Sequence, residues 1–309
     1  MSQNCSCGGR LGNTGIDNCV IEFKTTNNFI LVSTYKADST KNFIDLTTPS
    51  TVGADVLALT QASTDSLERL YPLPFAEGIT REKSDRTTDT APSGNIYNVQ
   101  DGLRQNHMEF YGQNASFSFM RELDKFGCTQ LSYYAVDVAG TLEGYVDEDE
   151  PTKFYPVPMM NNSFYAMYAY ATDTTIQKLM LDFNMKRNFD ESQMYYLTAA
   201  DLGYPATDLV GLIPVTVTVS NIVATGITAT VLRPSQSAVA TRPLTGLLAA
   251  DFAVYDVTGS AVVTVISATE GAPGVYAITY ADTAGTNDFT VTATKAGFAI
   301  EVAEYEDPA

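Results

Sequence analysis

The sequence predicts a mainly β protein in two parts. A β-sandwich or barrel body with a short flanking helix and long loops is followed by a smaller β-sandwich. Two observations carry this reading. At Pro214 the composition changes: the preceding residues mix Tyr, Asn, Met and charges, whereas Val, Thr, Ala and Gly recur beyond it in short runs of strand character. With 309 residues, 45% of them hydrophobic, and a mean hydropathy of -0.05, the chain has the length and composition for two folded cores.

Residues 1–19 form an arm, small and polar, with Gly8, Gly9, Gly12 and Gly15. Its Cys5, Cys7 and Cys19, with Cys128, match no common zinc spacing and read as reduced thiols. The Gly8–Gly12 run lacks the preceding strand of a phosphate-cradling loop. The body spans 20–213. A first strand pair is expected at Val20–Phe23 and Phe29–Tyr35 about the turn residues Asn27 and Asn28. Val56, Leu59, Leu67 and Leu70 fall at roughly helical spacing within Val52–Leu70, with Asp65 as cap of a final turn and Pro72 and Pro74 beyond. Residues 76–107 are polar and read as one long loop, which in a compact domain is functional or disordered.

Phe117–Phe126 reads as an amphipathic helix stopped by Gly127. Leu131–Val138 and Leu142–Val146 make a hairpin about Ala139, Gly140 and Thr141. Asp147–Glu150 reads as a solvated acidic tip, since it lacks the Gly or Asn of a calcium loop. Phe164–Tyr170 is apolar on both faces and Ile176–Met185 on one. A strand apolar on both faces has to be covered by its own fold or by another subunit. The second domain, 214–309, offers seven short strands: Val215–Ser220, Ile227–Leu232, Phe252–Val257, Val262–Ile266, Val275–Tyr280, Phe289–Thr294 and Phe298–Ala303. That number suits an Ig-like sandwich, here without its disulfide or core Trp.

The charge excludes some functions. Eighteen basic residues face thirty-six acidic ones, for a net charge of -18. Three basic and nine acidic residues fall from Pro214 onward, so both parts are acidic. A nucleic-acid binder needs Lys and Arg to displace counterions from phosphates, and no basic face is visible. No apolar run reaches the roughly 20 residues needed to span a bilayer. The N-terminus lacks the basic start and apolar core of a secretory signal, so residence in a cytoplasm is expected. His107 is the single histidine, without a recognisable triad context, and no G-x-S-x-G elbow occurs. No catalytic residue, cofactor or metal ligand is expected. The eighteen tyrosines read as core and interface residues.

Leu244–Asp256, Gly274–Tyr280 and Asp288–Phe298 resemble a bacterial Ig-like module. Ile176–Met185, Phe189–Ser192, Asp201–Gly203 and Asp208–Leu212 are similar in layout to the major tail (tail tube) proteins of long-tailed bacteriophages. The second resemblance implies hexameric rings stacked into a tube that conducts DNA without holding it tightly. It also implies incorporation into a virion beside other virion proteins, with the Ig-like module outside. The residues it offers for contacts between subunits are Tyr165, Met167, Tyr168 and Tyr170, with Arg81, Asp85 and Arg86 of the long loop. Three alternatives stay open: another virion protein (capsid decoration, head fibre or tail accessory), a cell-surface adhesin or carbohydrate-binding module, and a hydrolase.

Overall fold

Among the described residues 48% lie in strands and 15% in helices, so the fold is mainly β. The computed structural model describes residues 23–61, 66–223, 226–233, 242–257, 260–281, 289–293, 295, 297–300 and 303–305. The arm at 1–19, most of the strand expected at Val20–Phe23, and Asp65 lie outside them, as do turns expected at Thr258–Gly259 and Ala284–Gly285. The chain divides into two compact units, one ending at Gly211 and the other beginning at Leu212.

The first unit is built on an eight-stranded antiparallel sheet. Its path runs Ile44–Asp45, Lys153–Tyr155, Leu142–Val146, Leu131–Asp137, Thr26–Ser33 and Tyr71–Pro72. Val157–Pro158 and Met194–Leu197 pair onto Leu131–Asp137 and Leu142–Val146. The two central strands are apolar at successive positions because both faces of this sheet are covered. Phe29, Leu31, Tyr133 and Ala135 share a core with Met108, Phe110, Leu179, Leu181 and Phe183 of a second sheet. Ile30, Val32, Tyr134 and Val136 point the other way, onto Val52 and Val56 of the helix Val52–Gln61 and onto Leu202 and Leu209. Each large apolar side chain fully buried there contributes roughly 1.5–3 kcal/mol.

The second sheet has four strands in the order Tyr165–Ala169, Lys178–Asn184, Arg104–Tyr111, Glu77–Lys83. It corrects the expectation of one long loop at 76–107. Arg104–Tyr111 alternates strictly, with Asn106, Met108 and Phe110 buried, and Glu77–Lys83 pairs antiparallel beside it. Between them Thr87–Thr90 and Ile96–Gln100 form a separate two-stranded hairpin, exposed at every position. Pro92 starts its turn; the Gly94 N–H donates to the Ala91 carbonyl at 2.8 Å, and Gly94 is left-handed at φ +83°.

The helices are shorter than their apolar spacing suggests. Val52–Gln61 buries Val52, Val56 and Thr60, and does not extend to Leu70. Phe117–Asp124 is capped by Ser116, which accepts from the Phe119 N–H at 3.1 Å. It then tightens into a 3-10 turn over Lys125–Cys128, so Gly127 is not a left-handed stop. The hairpin about Gly140 forms where expected. Asp137 is fully buried and accepts backbone N–H groups from Lys24, Ala139 and Thr141. Gly140 has φ +79°, and a Cβ there would lie 2.4 Å from that of Pro205.

The second unit is a β-sandwich. One sheet runs Val265–Glu270, Val275–Tyr280, Gly226–Arg233, Ile213–Val223, Phe298–Ile300, with Arg242–Pro243 at its side. The other runs Ala261–Val263, Phe252–Asp256, Phe289–Ala293, Ala303–Tyr305. Val217, Ala229 and Ile278 of the first meet Val254 and Val291 of the second. Two runs expected as single strands are split. Ala261–Val263 and Val265–Glu270 belong to different sheets, as do Phe298–Ile300 and Ala303–Tyr305.

Candidate functional site

The four-stranded sheet of the first unit has one face in the core and one outside. The register sets the outer face as a grid of side chains. One row is Tyr165, Asp182, His107 and Thr80; the next is Met167, Met180, Glu109 and Glu77; the third is Ala169, Lys178 and Tyr111. Its centre is ionic. His107 Nδ1 lies 2.6 Å from Asp182 and its Nε2 3.4 Å from Glu109. Glu109 also accepts from Lys178 and from the Tyr111 hydroxyl. Those bonds, the one from Lys178 first, hold the Glu109 carboxyl below its ordinary range; the same contacts raise Lys178 and Tyr111.

That cluster has the charge but not the form of an active site. The partners of His107 are two carboxylates, with no hydroxyl or thiol nucleophile among them, and they stand on a sheet face rather than in a cleft. Among the described residues no group of three or more His, Cys, Asp or Glu is arranged to hold a metal ion. Nor is any helix among them long and apolar enough to cross a membrane.

The edges of this sheet are more distinctive. Tyr165–Ala169 and Glu77–Lys83 are its end strands, and among the described residues neither has a strand partner on its outer side. An open edge presents unpaired N–H and C=O groups that can template pairing with another chain. At the Tyr165–Ala169 edge the uncovered side chains are apolar. Tyr165 is 59% exposed and Tyr170 69%, and Met167, Ile176 and Phe117 are exposed nearby. The second concentration is the hairpin, where Ile96, Tyr97 and Val99 are 70%, 58% and 63% exposed. Among the described residues none covers them, and both strands of the hairpin are exposed throughout.

The seven residues offered for subunit contacts therefore fall into different settings. Tyr165 and Met167 stand on the outer face of the edge strand, and Tyr170 just past its end lies beside Phe117 and Tyr168. Tyr168 turns inward: its hydroxyl donates to the Ala115 carbonyl at 2.8 Å, its ring stacks on Phe117 at 4.4 Å, and burial raises its pKa. Arg81 is committed within the chain. Its guanidinium makes a two-pronged bond to Glu143, which the fold buries, and lies over the rings of Phe23 and Phe29. Burial opposes its charge, but Glu143 more than compensates and leaves the guanidinium more firmly protonated. Arg86 pairs with Asp101 at 3.0 Å at the base of the hairpin, where Asp85 is exposed. The sequence reading did not single out Ile96, Tyr97 and Val99, although the turn signal at Pro92–Gly94 lay beside them. Comparison with known proteins finds no matching family model, no matching curated protein and no matching solved structure.

Proposed function

We propose that this chain is a structural subunit that assembles with copies of itself into rings stacked as a tube, the part played by a tail tube protein in a phage virion. The observation that carries the reading is the four-stranded sheet with two open edges, one of them lined by the uncovered side chains of Tyr165, Met167 and Tyr170. A sheet open at both ends joins copies edge to edge in a heterologous contact, and such contacts close into rings when the rotation allows. The hairpin with Ile96, Tyr97 and Val99, exposed on both its strands, supplies a second contact. Neither surface needs a catalytic group, so the proposed role involves no covalent chemistry. DNA would pass through the tube held off by the acidic charge, and the second unit, an Ig-like module in this reading, would sit on the outside. Negative-stain microscopy with sedimentation of the purified chain tests the proposal. Six-fold rings or tubes support it; a monomer or trimer at high concentration favours another virion component or a binding module.

A further inference from the structure

Past Lys178–Asn184 the chain turns at Lys186, Arg187 and Asn188. Among the described residues, neither cation of this turn has a carboxylate at ion-pair distance. Backbone bonds hold the turn in place. The Met185 N–H donates to Arg104 at 3.0 Å, that of Lys186 to Pro158 at 2.9 Å, and that of Phe189 to Lys186 at 3.1 Å. Two clefts share Lys186 and Arg187 in their walls. One, of about 570 Å³, also carries Lys41 and Tyr155; the other, of about 370 Å³, carries Lys83, Arg86 and Arg104. Together the walls hold six cations against three acids (Asp85, Asp101 and Glu191), a local positive excess in a chain of net charge -18. Arg187 also has one guanidinium nitrogen, Nη1, sealed from solvent without an acceptor. A carboxylate reaching the rest of that guanidinium would offset part of the cost of burying it.

The matching chemistry is on the same chain. Asp147–Glu150 is the only run of four consecutive acids in the sequence, set between Leu142–Val146 and Lys153–Tyr155. Glu150 is bound to Lys153 and Tyr155, but no cation lies at ion-pair distance from Asp147, Glu148 or Asp149 among the described residues. This turn too is fixed, by Glu150 N–H to Asp147 and Lys153 N–H to Glu150, each 3.0 Å. Among the described residues no ion pair joins the basic and acidic turns, although Glu150 reaches the wall of the larger cleft by accepting from the Tyr155 hydroxyl. Two copies that each carry -18 repel unless opposite charges meet locally.

We infer that the Lys186–Arg187 turn and its clefts receive the acidic turn Asp147–Glu150 of a second copy, a salt-sensitive contact in which the basic turn of one chain meets the acidic turn of an identical one. The inference rests on the assembly proposed above and adds to it the surface that steers and registers the copies. The test uses two charge-reversed full-length chains. One carries Lys186→Glu with Arg187→Glu; the other carries Asp147→Lys, Glu148→Lys and Asp149→Lys. Sedimentation velocity and light scattering follow association, and circular dichroism checks that both variants fold. Wild-type association weakens as salt rises, and each variant alone loses on the order of tenfold in association constant. An equimolar mixture recovers it, because every contact that alternates the two variants joins opposite charges. If the variants assemble like the wild type, or the mixture does no better than its parts, this inference fails while the assembly proposal stands. A wild type that stays monomeric at all salt concentrations overturns both. Retention of the wild type on duplex DNA, lost in the Lys186/Arg187 variant, would instead make the cleft a phosphate site.

Discussion

Removing the Glu143 carboxylate should destabilise the first unit more than any change at its surface. Arg81 and Glu143 have side chains 17% and 6% exposed and face each other through two hydrogen bonds. Among the described residues Glu143 is the only carboxylate at ion-pair distance from Arg81, so no second counter-charge stands ready. Glu143→Ala would leave the guanidinium buried and uncompensated, which costs about 3–5 kcal/mol. For a unit of this size each kcal/mol lowers the melting temperature by roughly 2–4 °C, so a drop of roughly 6–20 °C is expected. Arg81→Met should cost a similar amount by stranding the carboxylate. The double variant Arg81→Met/Glu143→Met removes both charges and should be more stable than either single variant. Calorimetry of the full chain reads this, with the melting of the second unit as internal reference. A loss under about 1 kcal/mol in Glu143→Ala, or singles that add up to the double, would refute the reasoning. The same series tests the earlier reading of Arg81 as a contact residue, in which its replacement would weaken assembly and leave melting unchanged.

The Tyr165→Asp/Met167→Glu variant should lose ring or tube formation in sedimentation. Its folded stability should stay within about 0.5 kcal/mol, because both side chains already face solvent. Gly140→Ala places a Cβ at φ +79° against Pro205 and should cost roughly 2–4 kcal/mol, read as a lower urea midpoint; an unchanged midpoint would contradict the turn geometry. Burial pushes Tyr145 up to about 12 and raises Tyr134 and Tyr155 as well, with Glu150 adding to Tyr155. These groups hold protons in the folded state that the unfolded chain releases at about pH 10. Their contribution is complete below that pH and is lost as the pH rises towards the folded values. Ultraviolet titration should show part of the tyrosine ionisation delayed beyond pH 10 to coincide with unfolding. A single step for all eighteen near pH 10 would contradict this burial.

What could be read from the sequence was the part whose packing repeats along the chain. Lys178–Asn184 declares itself because apolar residues recur at the period of a strand, and Leu131–Asp137 because it is a short run with few polar residues that ends at a turn. The hairpin about Gly140 was equally legible from its turn residues. Glu77–Lys83 and Thr87–Thr90 were not, because Ile79, packed on the core, is the single large apolar residue in the two strands. The strand form of Glu77–Lys83 comes from pairing with Arg104–Tyr111, some way along the chain, and that of Thr87–Thr90 from its hairpin with Ile96–Gln100, neither of which an apolar period records. The split of Val262–Ile266 between two sheets was hidden for a related reason: a run of β-branched residues looks the same whether it stays in one sheet or crosses to another. At the candidate site the open-edge tyrosines were foreseeable, since an aromatic strand apolar on both faces needs more cover than one core provides. Tyr168 took the inner face of the same strand, and Arg81, read as polar and outward, found a buried acid 62 positions away. The charge of Lys186 and Arg187 was plain in the sequence, but the clefts that give it meaning exist only in the folded unit.

The way the second unit is laced also has a mechanical consequence. Its first strand runs parallel to a late one, pairing Ile213 with Phe298, Pro214 with Ala299 and Val215 with Ile300. Tension between the two ends of the unit would pull those strands lengthwise past each other, so their hydrogen bonds would have to fail together rather than one at a time. In single-molecule stretching this would register as one abrupt high-force rupture, the behaviour of a tether rather than a zip.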